Sequence, residues 1–407
     1  MFSFEAARAK VIEIIGARTG APQTEIVDIS TDPAQALGRV LAQDVISDRD
    51  YPPFDRSTRD GYAVRSADAT QPGTKLKLIG ESRAGVAFDD AVRAGECVRI
   101  LTGAAVPNGA DAVVMQEYTR VEGDRTVFDL AATAGQNVVP RGSESRAGDV
   151  LLSRGKRLGY AEMAIAAQAG RSQLQVNRRP SVAILSTGDE VVGVNESPGP
   201  FEIRNSNSVS LAAQVSLAGG EPVLLGNARD ETADLRARIE RGLAADLLVL
   251  SGGVSVGTYD LVEQVLRELG AEFFFDSVAI RPGKPAVFGW CRGKPVFGLP
   301  GNPVSTMVTF ELFVALAIES LSGAQARAPF AKAKLAHAVC EKTPLAHFLP
   351  ARVSWASGDP LVETIPWQGS GDIGAVVRGN CFLVVRGERQ RLAAGEWVDV
   401  LPRRGVM

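Results

Sequence analysis

The sequence predicts a multidomain α/β plus β protein organised around one doubly wound α/β/α unit. Between Val182 and Leu321, apolar runs of strand length alternate with amphipathic helical stretches, as expected for βα units stacked on a mostly parallel sheet. On either side, at 51–140 and from Lys332 onward, short alternating segments broken by glycine- and proline-rich turns read as β structure. The 407 residues also exceed what one hydrophobic core usually organises, on the order of 100–200 residues.

Taken in order, residues 4–17 carry apolar side chains at helical spacing and end near Gly20 and Pro22, predicting an amphipathic opening helix. A second helix is predicted over 32–41. Strands follow at 75–79, 97–101, 112–115 and 125–130, and helical periodicity returns at 158–169. The β-rich segment therefore reads as an insertion within a helical region built from both of its flanks.

Arg178-Arg179-Pro180 makes a linker. Beyond it, strands are predicted at 182–185, 222–225, 247–250, 272–278, 286–290 and 296–299. Helices are predicted at 208–218, 231–243, 259–269 and 304–321. Strands at 351–355, 381–385 and 397–401 then suggest a small β-barrel. The expected domains are 1–45 with 145–178 (a discontinuous helical linker), 46–144 (β-rich insertion), 179–327 (α/β) and 328–407 (barrel).

With 45% hydrophobic and 22% charged residues and a formal net charge of -3, the chain lacks the basic surplus of a nucleic-acid binder, so small molecules are the expected partners. The longest apolar stretch, 304–321, is interrupted by Ser305, Thr306, Thr309, Glu311 and Glu319 and reads as a buried helix rather than a bilayer span. The opening Met1-Phe2-Ser3-Phe4-Glu5 shows no basic segment followed by an apolar run, which predicts a cytoplasmic location. Cys97, Cys291, Cys340 and Cys381 match neither a zinc site nor a disulfide scaffold and are expected to be reduced core residues. His337 and His347 are too few for a histidine cage, so any metal must be held by oxygens.

In an open parallel sheet, ligands gather beyond the carboxyl ends of the strands, where helix N-termini present free N–H groups. Four polar loops fall there: Ser186-Thr187-Gly188-Asp189-Glu190, the segment at Asp230, Ser251-Gly252-Gly253-Val254-Ser255-Val256-Gly257, and Gly301-Asn302-Pro303-Val304-Ser305. The glycine-rich loop is neither a Walker loop nor a dinucleotide fingerprint; it suits a phosphate or a plain strand-to-helix turn equally. Asp230 and Asp260 each read as either a functional carboxylate or a helix N-cap. Gathered with Asp189 and Glu190, they would repel one another unless they shared a cation, and magnesium fits such an oxygen set.

Arg281-Pro282-Gly283-Lys284-Pro285 reads as an oxyanion cradle or a tight turn. In Leu299-Pro300-Gly301-Asn302-Pro303, Pro303 sits where a helix tolerates proline, and Asn302 or Ser305 is placed to reach the first N–H groups. Pro52-Pro53-Phe54-Asp55, with Arg59-Asp60-Gly61-Tyr62-Ala63, and the stretch at Thr102-Gly103-Ala104 read on their own as stiff turns.

Eight segments in consecutive order nevertheless resemble the molybdopterin molybdenumtransferase (molybdate insertase) family, to which gephyrin's enzymatic domain is related. They are Pro52-Pro53-Phe54-Asp55, Asp60-Gly61-Tyr62-Ala63-Val64, Thr102-Gly103-Ala104, Gly109-Ala110-Asp111-Ala112-Val113-Val114, Ser186-Thr187-Gly188-Asp189-Glu190, the loop from Ser251 to Gly257, Pro282-Gly283-Lys284-Pro285, and the loop from Leu299 to Ser305.

The resemblance implies a molybdopterin-binding-like α/β domain and an elongated homodimer, with the active cleft between the α/β domain of one subunit and the β domain of the other. It implies adenylylated molybdopterin and molybdate as substrates, and magnesium-dependent release of AMP with the finished cofactor. Asp60, Thr102, Glu190, Asp230 and Asp260 would be the catalytic residues, with Glu190, Asp230 and Asp260 on the metal. Substrate would meet Ser186, Thr187, Gly188, Ser251, Gly252, Gly253, Ser255, Gly257, Lys284, Pro300, Gly301, Asn302, Pro303, Ser305, Arg352 and Ser370. The adenylyltransferase of the same pathway and recipient apo-molybdoenzymes are the implied protein partners.

The chain departs from the family pattern in places. Arg56-Ser57-Thr58-Arg59 stands where Asn-Ser-Ala-Met is usual, Glu144 replaces an Asp and Arg281 a frequent Lys. Pro350 occupies the position of an anion-pocket arginine, with Arg352 two residues on as its expected substitute, and Gly374-Ala375 replaces a Ser-Ser pair. These changes keep open a second reading, a catalytically weak cofactor carrier or chaperone. A receptor-clustering scaffold and a nucleotide phosphotransferase are the remaining, less supported alternatives.

Overall fold

The computed structural model describes residues 1–86, 88–253, 261–324, 330–342, 344–355, 358–389 and 391–406. Its central sheet has six strands in the order Glu221–Ala228, Ser181–Thr187, Leu247–Ser251, Lys294–Leu299, Val287–Cys291, Glu272–Phe275. The first four run parallel and the hairpin strand Val287–Cys291 runs opposite to them. Leu247–Ser251 is buried at every position, because helices cover both faces of the sheet. One core includes Phe288 stacked on Phe297, with ring centroids 4.7 Å apart, and a second lies on the other face around Leu248, Leu250 and Val265. The doubly wound reading holds.

The strand expected over 272–278 stops at Phe275. Ile280–Arg281 instead pairs with Ala346 and His347 of the C-terminal unit, so the Arg281–Pro285 segment leaves the central sheet along the seam between the two. In that unit the strands Ala346–Ser354, Leu361–Thr364, Ala331–Leu335, Trp397–Pro402 and Cys381–Val385 close on themselves through the pairing of first with last, forming the barrel.

The β-rich segment forms a six-stranded sheet in the order Ala112–Met115, Gly61–Val64, Glu96–Ile100, Thr74–Ser82, Arg125–Phe128, Thr119–Glu122. Its flanks pair with one another, Thr24–Asp28 with Gln173–Asn177 and Val45–Ile46 with Val150–Leu152, around a shared core that includes Leu41, Leu158 and Val176.

The opening helix, Phe4–Arg18, is capped by Ser3 and buries Phe4, Ala7, Val11 and Ile15 in the α/β core rather than among those flanks. The helix expected at 32–41 shrinks to Pro33–Ala36, because Leu37 is extended and Gly38 takes a left-handed φ of 75° that ends the turn. The final α/β helix contains a π segment, Phe310–Val314, between Pro303–Thr309 and Ala315–Leu321. Its length and hydropathy would suit a membrane span, yet 83% of it is buried inside the protein. Cys97, Cys291 and Cys381 are buried as expected, whereas Cys340 is exposed because it falls on the short two-residue strand Val339–Cys340 beside Leu392 and Arg391.

Candidate active site

Beyond the carboxyl ends of Ser181–Thr187, Leu247–Ser251 and Lys294–Leu299 lies a cleft of about 460 Å³. Twelve of the residues singled out from sequence line it: Ser186, Thr187, Gly188, Glu190, Asp230, Ser251, Gly252, Gly253, Pro300, Gly301, Asn302 and Pro303. The loops meet closely enough to require glycine. At Gly252, φ is +90° and a Cβ would fall 2.7 Å from the carbonyl oxygen of Thr187; at Gly188, φ is +127° and a Cβ would strike the Glu190 carboxylate.

Side chains that the sequence reading missed hold the rim together. Asn205 caps the helix Ser206–Ala218 by accepting from the Ser208 N–H at 3.0 Å, and it also accepts from the Ser186 hydroxyl at 3.2 Å. Asn207 Nδ2 donates to Ser251 Oγ and to the Gly301 carbonyl, each at 2.8 Å, joining three loops. Asn227 Nδ2 donates to the carbonyls of Gly188 and Val191, fixing the first loop from beneath. The run Asn205-Ser206-Asn207-Ser208 carries an N-cap signal that could have revealed the first two.

Thr187 Oγ1 and Asn207 Oδ1 are buried with no partner among the described residues. A buried polar atom left in this way is costly, and Asn227 Oδ1, beneath the same rim, is left likewise among the described residues.

Of the carboxylates expected to gather there, Glu190 and Asp230 line the cleft, while Asp189 faces an adjoining hollow. The Asp230 N–H donates to Asp189 Oδ1 at 3.1 Å, and burial, followed by the neighbouring Asp189 and Glu190 charges, pushes the Asp230 carboxyl above the usual carboxylate range. The N-cap reading of Asp230 fails, since Glu231 occupies the cap position of the helix Thr232–Gly242. Among the described residues no group of three or more His, Cys, Asp or Glu side chains is arranged to hold a metal. Asp260, Ser255 and Gly257 lie outside the described residues.

The proposed cap at the last helix is also corrected. Asn302 is the N-cap residue but makes no side-chain cap bond; the Val304 N–H donates to the Ser370 carbonyl at 2.9 Å instead. The C-terminal unit thus delivers Ser370 to the cleft's edge. Ser305 is buried in the first turn of this helix, and Lys284 is exposed beside Pro285, which lines the cleft. Arg352 is exposed on the barrel strand opposite Glu363 and is not among the lining residues.

Asp60 and Thr102 form a pair in the turns that flank two strands of the inserted sheet and are not among these lining residues. Asp60 Oδ1 accepts from the Thr102 N–H at 2.6 Å and from its hydroxyl at 2.7 Å, and these two bonds hold the Asp60 carboxyl below its ordinary range.

Three family models match the chain in succession: "MoeA N-terminal region (domain I and II)" over residues 2–170, "Probable molybdopterin binding domain" over 183–320, and "MoeA C-terminal region (domain IV)" over 332–402. A molybdopterin molybdenumtransferase of Haemophilus influenzae is 35% identical over 99% of this chain and 98% of its own length. That of Staphylococcus aureus strain Mu50 is 32% identical over 93% and 92%, and that of Nostoc sp. 42% identical over 74% and 70%. The chain belongs to the molybdopterin molybdenumtransferase family. Within this family, the crystal structure of the molybdopterin biosynthesis MoeA protein from Pyrococcus horikoshii aligns with 97% of the chain and 98% of its own, at 33% identity and a TM-score of 0.76. The cleft of this family member lies wholly within the segment matched by the molybdopterin-binding model, and Asp60 and Thr102 lie within the N-terminal one.

Proposed function

We propose that this chain is a molybdopterin molybdenumtransferase that takes adenylylated molybdopterin and molybdate, places molybdenum on the dithiolene, and releases AMP with the finished cofactor. The observation that carries the reading is the cleft itself: glycine loops at the carboxyl edge of the sheet, two buried polar oxygens without partners among the described residues, and Glu190 with Asp230 on one wall. Thr187 and Asn207 would meet donors of the substrate, the Gly252 and Gly253 backbone would approach its phosphates, and Pro300 and Pro303 would shape the wall beside the pterin. Lys284, Ser305 and Ser370 would hold the oxyanion, with Arg352 serving only if the barrel strand presents it to the cleft.

The all-oxygen donor set fits magnesium, which Glu190 and Asp230, with Asp260, would hold through one or two carboxylates. When bound, the ion would offset charge on the phosphoanhydride and orient a water for its cleavage. Asp60 and Thr102 would complete the cleft from the partner subunit of a homodimer, which accounts for their absence from the lining residues. The four expected domains, 1–45 with 145–178, 46–144, 179–327 and 328–407, remain our division of the chain. We place it in the cytoplasm, receiving substrate from the pathway's adenylyltransferase and passing cofactor to apo-molybdoenzymes.

The test is AMP release from adenylylated molybdopterin by the pure protein with magnesium, with and without molybdate, compared with Asp230→Asn. Molybdate-stimulated release that the variant loses is expected. Tight cofactor binding without AMP release in the parent protein would overturn the reading and favour a carrier.

A further inference from the structure

Two helices wall the cleft with their N-termini: Ser206–Ala218, which begins beside Asn205 and carries Asn207, and Pro303–Thr309, which follows the Pro300–Asn302 turn. Below the cleft they are tied together. Gln214 Nε2 donates to the Met307 carbonyl at 3.2 Å and to Glu311 Oε1 at 2.9 Å. Glu311 is almost fully buried in the π segment, and its other oxygen accepts from Arg404 Nε at 2.8 Å. Arg404 Nη1 reaches on to Glu319 at 3.0 Å, and Arg8 of the opening helix donates to the Leu312 carbonyl at 2.7 Å.

Arg404 belongs to the tail just after the last barrel strand, Trp397–Pro402, and Gly405 sits directly over Leu217 of the first cleft helix. Two buried carboxylates, Glu311 and Glu319, thus share Arg404, and Arg8 from the other end of the chain adds its charge near Glu319. A buried charge is held only where its partners are in place, so this arrangement permits little variation in how the two helices stand.

We propose that Arg404 is a positioning residue: acting through Glu311 and Gln214, it sets the spacing of the two helices below the cleft, while Asn207 ties their N-termini above through Gly301. The barrel and tail, far along the chain from the glycine loops, thereby determine how wide the cleft stands. The proposal rests on the cleft being the substrate site, and its test separates the two.

Spin labels at Ser206→Cys and Asn302→Cys, in a background with exposed Cys340 replaced by Ser, report the helix spacing by dipolar broadening of the continuous-wave electron resonance spectrum, without any chemistry. Arg404→Met is expected to broaden and shift that distance. In the unlabelled protein it is expected to raise KM for adenylylated molybdopterin about tenfold with kcat within about twofold, as a displaced binding wall would do. Arg404→Lys should recover part of both effects. Because Arg404→Met leaves Glu311 without its cation, the double variant Arg404→Met/Glu311→Gln is the control: it leaves one buried anion with one arginine, so folding should return while KM stays raised. An unchanged distance in Arg404→Met, or a double variant with the parent KM, overturns the proposal. A shifted distance in a protein whose parent releases no AMP would leave the strap standing and remove the functional reading instead.

Discussion

The α/β sheet is covered by helices and the inserted sheet by its own loops, and the two differ in what their strand ends enclose. Leu247–Ser251 is buried at all five positions, and Ser181–Thr187 at all but its first, because helices lie on both faces. In the inserted sheet Gly61–Val64 is buried at all four positions, and exposure is confined to strands such as Thr119–Glu122, just as Glu221–Ala228 is exposed at the edge of the α/β sheet. A sheet covered on both faces leaves polar groups a single place to gather, the loops at its carboxyl edge, and that is where the cleft forms. The inserted sheet also carries its polar pair in turns at its strand ends, Asp60 just before Gly61–Val64 and Thr102 just after Glu96–Ile100, but leaves the pair exposed.

The strongest challenge to this contrast is a cavity in each core. Phe288 and Phe128 are both fully buried, and replacing either with Ala should cost about 3–5 kcal/mol in the unit that holds it. If the units are as separate as their cores, Phe288→Ala should abolish AMP binding measured by calorimetry, whereas Phe128→Ala should lower the unfolding midpoint yet leave that binding within about twofold. Loss of AMP binding in Phe128→Ala would show that the two sheets stand or fall together.

A smaller and more local effect is expected at Gly252. Its left-handed φ and the 2.7 Å approach of a Cβ to the Thr187 carbonyl mean that Gly252→Ala must shift backbone, at a cost of about 1–2 kcal/mol from the handedness alone. Molybdate-stimulated AMP release should fall about tenfold or more while the far-ultraviolet circular dichroism is retained. Parent-like turnover would mean that the close meeting of the two loops is not needed.

The smallest effect sharpens the other side of the comparison. The Thr102 N–H and hydroxyl bonds place the folded-state pKa of Asp60 below its ordinary 3.8. Their contribution to stability is therefore present above that ordinary value and lost as pH falls through the lower folded value. Thr102→Val keeps the backbone bond and removes the hydroxyl one, so the Asp60 titration followed by NMR should move upward, toward the ordinary value. A titration that does not move would assign the shift to the backbone N–H alone.

The central sheet was legible because period and length agree: apolar runs such as 247–250 suit a strand covered on both faces, and 304–321 is too long to be anything but a helix. The glycine loops were legible because only glycine tolerates the left-handed backbone at 252 and 253. Less was legible where a local preference was overruled by contacts from elsewhere. Residues 32–41 look helical, yet Leu41 is drawn into pairing with Val176. Residues 272–278 read as one strand, yet the chain leaves the sheet so that Ile280 and Arg281 can join the barrel.

By itself, then, the sequence determined the class of fold, the carboxyl-edge location of the site and most of the residues that line it, because periodicity and glycine placement are properties of short segments. Only the tertiary structure decided that Asn205 receives the Ser186 hydroxyl, that Asn207 and Asn227 brace the rim, that the Ser370 carbonyl takes the Val304 N–H at the helix beginning at Pro303, and that Arg404 reaches the helices beneath the cleft. Each of those bonds joins residues from separate loops or elements, some of them far apart in the chain. No local pattern encodes which donor will arrive at a given acceptor; that is settled when the buried groups of different elements must satisfy one another in a shared interior.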